Sequence, residues 1–306
     1  MQKTISILIL THNRSQDLLA LLESLSLQMG LPQVLEEILI INNASTESYD
    51  AVTQYILQHP EMPIKYRYSE VNTGVAAGRN ILMKEAKGDL LLTLDDDMVF
   101  PQDDALLRMS SLFEKPEFVA ANVAVITVDV IYYSTKEVQV TAFPHKKFHK
   151  FYGKNSFLTY YFAGGANLMK RNVALQSGGY PEDFFYGMEE YDLAYRILDL
   201  GYTFAYDNSI TIEHKESPYG RQANYKKLQM QWVNKAKVAW RYLPVFYFFT
   251  TVVMWNFEYI RKAGGHWGAY FQSWWAVLQI PFQEKRKRIS RKALHYLQQV
   301  QARLWY

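Results

Sequence analysis

Apolar and polar positions along the first third of the chain follow a repeating order: an apolar run, a polar loop, then apolar residues at helical spacing. Ile5 to Leu10 is the first run and ends in Thr11-His12-Asn13-Arg14. Ser15 then opens a segment with Leu18, Leu19, Leu22 and Leu25 spaced as one helix face, which predicts a capped helix. Glu37 to Ile41 ends in Asn42-Asn43-Ala44-Ser45-Thr46, a helix follows to about Gln58, and Ile64 to Tyr68 reads as a third strand. Asn72-Thr73-Gly74 through Arg79-Asn80 opens a helix that ends near Gly88, and Leu90 to Leu94 is a buried run that stops at Asp95-Asp96-Asp97. Strands alternating with helices predict an α/β fold with a parallel sheet and a ligand at its carboxyl edge. Every polar signature named so far falls at that edge.

The acidic tip is the first place where chemistry enters. Three carboxylates on one turn repel one another unless a cation or hydrogen-bond donors neutralise them. Hard oxygen ligands on a short turn suit Mg²⁺ or Mn²⁺ with room left for substrate phosphates, and a solvated turn capping the next helix is the plainer alternative. Gly74 and Gly78 at a helix start bring backbone N–H groups and Arg79 to a phosphate, or simply form a tight turn. A second acidic cluster follows Gly178-Gly179 and an aromatic stretch: Glu189, Glu190 and Asp192 occupy the first turn of a predicted helix, where the helix dipole favours them, while Leu193, Ile197 and Leu200 face a core.

Between the two clusters, Asp103 to Phe113 reads as a helix and Phe118 to Val130 as a strand. Residues 131–157 are basic and aperiodic, which predicts a flexible loop on the acceptor side. Tyr202 to Tyr206 and Ser209 to Glu213 read as two short strands ending at His214.

Composition sets the scale. A chain of 306 residues, 49% hydrophobic and 15% aromatic, can bury one large α/β core and add a further element. The absence of cysteine excludes a disulfide framework, a thiolate metal site and a thiol nucleophile. Met1-Gln2-Lys3 runs straight into the first strand, so a cytoplasmic location is expected. The formal charge is only +3, but Lys285-Arg286-Lys287-Arg288, Arg291, Lys292 and Arg303 crowd the last stretch and point to an anionic partner.

From about Asn224 the composition changes, and all 7 tryptophans lie in this part. Leu243 to Phe257 is too short to span a bilayer, which takes about 20 residues. Its aromatic edges and the flanking Arg241, Arg261 and Lys262 suit the membrane interface, as does the apolar stripe of Ile289, Ala293, Leu297, Val300 and Leu304 on a basic helix. Peripheral contact through residues 240–306, on the inner face of the cell membrane, is the expectation; packing against the rest of the protein or a second subunit is the alternative.

The ordered motifs together resemble the family 2 glycosyltransferases of the GT-A fold. That family carries a first-strand Thr-x-Asn-Arg, a second-strand Asp-Asn-x-Ser, an Asn-x-Gly-x-x-x-x-Arg-Asn helix start and an Asp-x-Asp strand tip. This chain has Thr11-His12-Asn13-Arg14, Asn42-Asn43-Ala44-Ser45, Asn72-Thr73-Gly74 through Arg79-Asn80, and Asp95-Asp96-Asp97. Residues 1–220 would then form a GT-A-like domain, a single Rossmann-type mixed sheet flanked by helices, with residues 1–100 on the donor and 101–220 on the acceptor. Residues 221–306 would be a C-terminal helical extension.

The resemblance implies an inverting transferase that uses a nucleoside-diphosphate sugar, UDP-linked by preference, and a divalent cation (Mn²⁺ or Mg²⁺). It places Thr11, Asn13, Arg14, Asn42, Asn72, Gly74, Arg79, Asp95 and Asp96 around the nucleotide, and Asp97, Asp95 and His214 on the metal. The family's second-strand Asp is Asn42 here, which loosens the choice of base. The catalytic base of the family's Glu-Asp-x-Asp-Leu segment falls on Glu190, with Glu189 and Asp192 as secondary candidates. The implied acceptor is a saccharide or lipid-linked saccharide of a bacterial surface polysaccharide, with no nucleic-acid partner. A metal-dependent nucleotidyltransferase and a non-catalytic carbohydrate-binding protein at the membrane are the rival readings.

Overall fold

The computed structural model describes residues 3–220 and 223–305. The chain start at Met1-Gln2 and the junction at 221–222 drawn between the two regions lie outside the described residues. The strands are β1 (Ile5–Thr11), β2 (Leu35–Asn43), β3 (Ile64–Ser69), β4 (Leu90–Asp95), β5 (Met98–Val99), β6 (Val123–Tyr132), β7 (Ser156–Thr159), β8 (Ala166–Lys170) and β9 (Thr203–His214). They form one sheet in the order β3-β2-β1-β4-β8-β6-β9-β5, with β7 on β9. The first four strands are parallel, whereas β8 runs antiparallel to β4 and β6. The fold is therefore mixed α/β, parallel in its first half, as the motifs imply.

The longer helices are α1 (Ser15–Ser26), α2 (Asp50–Gln58), α3 (Gly74–Glu85), α4 (Glu189–Asp199), α5 (Asn224–Tyr242), α6 (Val245–Lys262), α7 (Trp267–Gln283) and α8 (Arg291–Gln299). Strand alternation sorts the core into two layers. Ile5, Ile7 and Ile9 of β1, with Leu90, Leu92 and Leu94 of β4, pack with Leu18, Leu22 and Leu25 of α1. Leu8, Leu39 and Leu91 point the other way, toward Leu82 of α3 and Leu193 and Ile197 of α4.

The parallel register pairs Thr11 with Asn42 and Leu10 with Asp95, so the loops after β1, β2 and β4 emerge side by side. A third cluster, around Trp232, Phe248, Val252, Tyr259, Val277 and Ile280, ties α5, α6 and α7 together.

Several expectations for the second half are corrected. Phe118 lies in a short helix, Pro116–Ala120, that Pro116 starts, and the strand begins only at Val123. The helix expected over Asp103–Phe113 is reduced to Ala105–Met109 and a turn of 3₁₀-helix. Residues 203–214 form one strand across Asn208-Ser209, where the Asp207 carboxylate accepts from the Ser209 N–H and the register against β6 slips. The loop expected to be flexible is anchored by Phe143 and Phe151, both buried beside Tyr206.

The stripe expected to meet a membrane from residue 289 onward is also spoken for. Ile289, Ala293, Leu297 and Leu304 are buried in the same layer as α4, so α8 packs on the body of the protein. Arg241, expected to flank a membrane segment, instead bonds Asp183, Asp192 and Glu284.

Candidate active site

Two cavities adjoin at the carboxyl edge of the sheet. The first, of about 340 Å³, is lined by Thr11, Arg14, Asn72, Gly74, Asp96, Asp97 and His214, among others. The second, of about 330 Å³, is lined by Gly164, Gly165, Glu189, Glu190, Tyr161 and Lys146, among others. Val75, Arg79, Asp95 and Tyr186 line both. Both lie in the size range of small-ligand sites.

Arginines match the carboxylates of the first cavity. Arg14 reaches Asp96 at 2.9 Å and Asp97 at 3.2 Å. Asp96 is 3% exposed, and burial pushes its carboxyl up to about 7 against the pull of Arg14. Burial acts on Asp97 in the same sense, but His214, Arg14 and the Ser217 N–H outweigh it and hold Asp97 below the usual carboxylate range. Asp95 pairs with Arg79 at 2.9 Å, and the Gly165 carbonyl accepts from its N–H.

Local geometry explains the loop residues. Gly74 opens α3 with φ +76°, and a Cβ there would meet the Phe185 carbonyl oxygen at 2.6 Å, so no other residue fits. Asn72 Oδ1 accepts from the Gly74 N–H and from Asn43 Nδ2, each at 3.0 Å. Asn80 accepts from the Tyr180 N–H and donates to the Tyr180 carbonyl, which clamps the loop leading to the second acidic cluster.

A divalent cation is what the family resemblance implies, and two of the three expected ligands converge. Asp97 Oδ1 is buried without a hydrogen-bond partner, and His214 Nε2 stands 3.2 Å from it. His214 Nδ1 lies 2.8 Å from Gln139 Oε1, which accepts its proton and turns Nε2 toward the aspartate. A buried, orphaned carboxylate oxygen beside an imidazole fits a Mn²⁺ or Mg²⁺ ion whose other positions belong to substrate and water. Asp95, the third expected ligand, is turned to Arg79. Among the described residues no cluster of three or more metal-ligating side chains forms.

In the second cavity the backbone lies directly against the acids. A Cβ on Gly164 would sit 2.0 Å from Glu190 Oε1, and one on Gly165 would sit 2.1 Å from Asp95 Oδ2. The absence of a side chain at Gly164 and Gly165 thus allows this close approach to the two carboxylates. Met188, with φ +70°, precedes α4, and Asn234 of α5 donates to the Tyr186 and Gly187 carbonyls, bracing the turn that presents Glu189 and Glu190. Glu189 is buried 3.5 Å from Arg79. Glu190 is half-buried and makes no ion pair among the described residues. Desolvation raises its proton affinity well above the ordinary carboxylate range, and Glu189 adds to the rise.

The expected residues therefore divide. Thr11, Arg14, Asn72, Gly74, Arg79, Asp95, Asp96, Asp97 and His214 line the first cavity, and Glu189 and Glu190 the second. Asn13 and Asn42 line neither: Asn13 Oδ1 accepts from the Thr46 N–H, and Asn42 bonds Tyr66 and the Ser45 N–H inside the loop. Asp192 is turned away, paired with Arg196 and Arg241. Asn43, which lines the first cavity, and Lys146, which lines the second, were not anticipated. Asn43 had a signal in strand alternation, because it stands one residue beyond the inward Asn42.

The profile of glycosyl transferase family 2 matches residues 6–176, more than half of the chain. The chain belongs to glycosyl transferase family 2. Among relatives, an uncharacterised glycosyltransferase of Bacillus subtilis, YwdF, is 35% identical over 125 residues, 41% of this chain and 44% of that one. Among solved structures, GalNAc-T7 with UDP, GalNAc and Mn²⁺ has a TM-score of 0.65 at 18% identity, covering 81% of this chain and 50% of that one. The mannosyltransferase PcManGT of Pyrobaculum calidifontis, with GDP-mannose and Mn²⁺, has a TM-score of 0.58 at 15% identity, covering 100% of this chain and 81% of that one. The chain thus spans half or less of YwdF and of GalNAc-T7. At these identities the two structures establish the GT-A fold and nothing finer.

Proposed function

We propose that this family 2 glycosyltransferase works with inversion, moving a hexosyl or deoxyhexosyl group from a UDP-linked donor to a hydroxyl of a saccharide or lipid-linked saccharide in surface polysaccharide assembly. The observation that carries the reading is the pair of cavities joined at Arg79 and Asp95, one built around arginine-matched carboxylates, the other around a carboxyl with raised proton affinity. The nucleoside diphosphate occupies the first cavity, with Arg14 and Arg79 beside its phosphates. The sugar spans the join, and the acceptor enters the second. Glu190 takes the proton of the acceptor hydroxyl as that oxygen bonds to the anomeric carbon and the bond to the β-phosphate oxygen breaks. Glu189, held by Arg79, keeps a second negative charge next to the base. Asp97 and His214 would hold a divalent cation, which when bound neutralises charge on the departing diphosphate.

Membrane contact belongs to the same reading, and α6 and α7 support it. Phe246, Phe249 and Phe257 leave an apolar stripe exposed on α6, and Phe271, Trp275 and Phe282 leave another on α7. Exposed Lys285, Lys287 and Arg288 follow directly. Aromatic stripes next to basic residues suit an anionic lipid surface. No helix among the described residues is long and apolar enough to cross a membrane.

The donor site is tested by calorimetric titration of UDP, GDP, dTDP and CDP, with and without Mn²⁺, on the wild type and Asp97→Ala. UDP should bind in a Mn²⁺-dependent way, and Asp97→Ala should weaken that binding about 10- to 100-fold. A folded wild type that binds none of the four sinks the reading.

A further inference from the structure

The second cavity carries positive charge that the chemistry above leaves unused. Lys146 lines it, with the ammonium 5.2 Å from the centre of the Tyr161 ring. Lys235, one turn along α5 from the lining residue Gln231, sets its ammonium 3.1 Å from the centre of the Tyr191 ring and is 8% exposed. Tyr161 and Tyr191 both line the cavity and stack on each other at 4.9 Å. Ring faces attract cations, but they are weak substitutes for a counter-ion once a lysine is buried.

Neither ammonium group makes an ion pair or a hydrogen bond among the described residues. The two ammonium groups and the Arg303 guanidinium repel one another. Burial, then Lys146 and Arg303, lower the proton affinity of Lys235 far below that of a free lysine. Although Lys146 is exposed as a whole residue, desolvation of its ammonium, with Arg303 adding, brings it down to about 8. Glu190 acts on both lysines in the opposite sense. A cavity for a neutral sugar needs hydrogen-bonding amides and hydroxyls, and gains nothing from two lysines set over Tyr161 and Tyr191 with no ion-pair partner among the described residues. A negative group bound beside Lys146 supplies the partner that the two lysines lack and favours their ammonium forms.

We propose that the acceptor is anionic, carrying a carboxylate or a phosphate group next to the hydroxyl that Glu190 deprotonates, with Lys146 at the anion and Lys235 and Arg303 adding positive potential. This rests on the assignment of the second cavity to the acceptor. It also resolves a conflict at the base. An anion brought up to Glu190 alone would hinder its ionisation, and the lysines offset that effect.

The test uses enzyme saturated with UDP and Mn²⁺, so that the first cavity is filled, and three probes: inorganic phosphate, D-glucuronate and D-glucose. Binding of the sugars is read by saturation-transfer NMR and that of phosphate by ³¹P line broadening. At least one anion should bind about tenfold more tightly than glucose and lose that advantage in Lys146→Gln and Lys235→Met. Phosphate alone points to a phosphorylated acceptor, and glucuronate alone to a sugar acid. The proposal is overturned if no anion outbinds glucose, or if both variants bind the anions as the wild type does. Lys146 is an exposed residue, so its variant remains informative if Lys235→Met fails to fold. Failure of the donor assignment shows separately, as absent UDP binding in the wild type.

Discussion

The two cavities share a wall and treat charge in opposite ways. In the first, Asp95, Asp96 and Asp97 each have an arginine within 3.2 Å, Arg79 for Asp95 and Arg14 for the other two. In the second, neither Glu190 nor Lys146 nor Lys235 has an ion-pair partner among the described residues. The first is matched by arginine before any ligand arrives, except at Asp97 Oδ1, which suits a site that must hold a diphosphate in one geometry. The second is left open, which suits a site where a proton must move and a charged partner is still to come.

The largest effect that sharpens this contrast belongs to Glu190→Gln. Transfer should fall about 10²- to 10⁴-fold while UDP affinity by calorimetry stays at the wild-type value. Equal loss of both would erase the functional boundary between the cavities. Next in size is the pH profile. Glu190 acts only when ionised and its proton affinity is raised, so kcat/KM should climb with pH to a midpoint well above the ordinary carboxylate range and be lost as pH falls through it. Glu189→Gln removes the neighbouring negative charge and should move that midpoint to lower pH. An unmoved midpoint would mean that the two acids do not share a field.

The smallest expected effect lies farthest from the chemistry. Trp275→Glu with Phe282→Glu should lower binding to vesicles containing phosphatidylglycerol about tenfold or more, each substitution replacing an exposed ring by a negative charge. Activity on a water-soluble acceptor should not change. Unaltered sedimentation with the vesicles would remove α7 from the membrane.

The first cavity was legible in the chain because parallel strands deliver their loops to one edge in sequence order, so Thr11, Arg14, Asn72, Arg79 and Asp95 to Asp97 meet wherever the strands pair in register. What failed there was a matter of single residues. Strand alternation sends Asn42 to Tyr66 and leaves Asn43 on the cavity, and motif matching does not resolve neighbours.

The second cavity was legible as single residues only at Glu189 and Glu190, and as a segment in the basic loop 131–157 expected on the acceptor side. Lys146, Lys235 and Arg303 come from a loop, α5 and the chain's last segment, and no local pattern links them. The same limit applies to amphipathic stripes. Those of α6 and α8 look alike in sequence, yet Leu297 is fully buried and Phe249 is 60% exposed, because a stripe records that something covers it and not what.

Arg241 reaches Asp192 at 2.9 Å, Asp183 at 2.7 Å and Glu284 at 2.8 Å. One guanidinium thereby rivets the C-terminal helices to the helix that presents Glu190 and to the loop before it. Exchanging the last third of this chain for that of a relative would strip Asp192, 1% exposed, of one of its two arginines and leave a buried charge short of a partner. Recombination between such enzymes is therefore confined to breakpoints that carry position 241 and its three acids together.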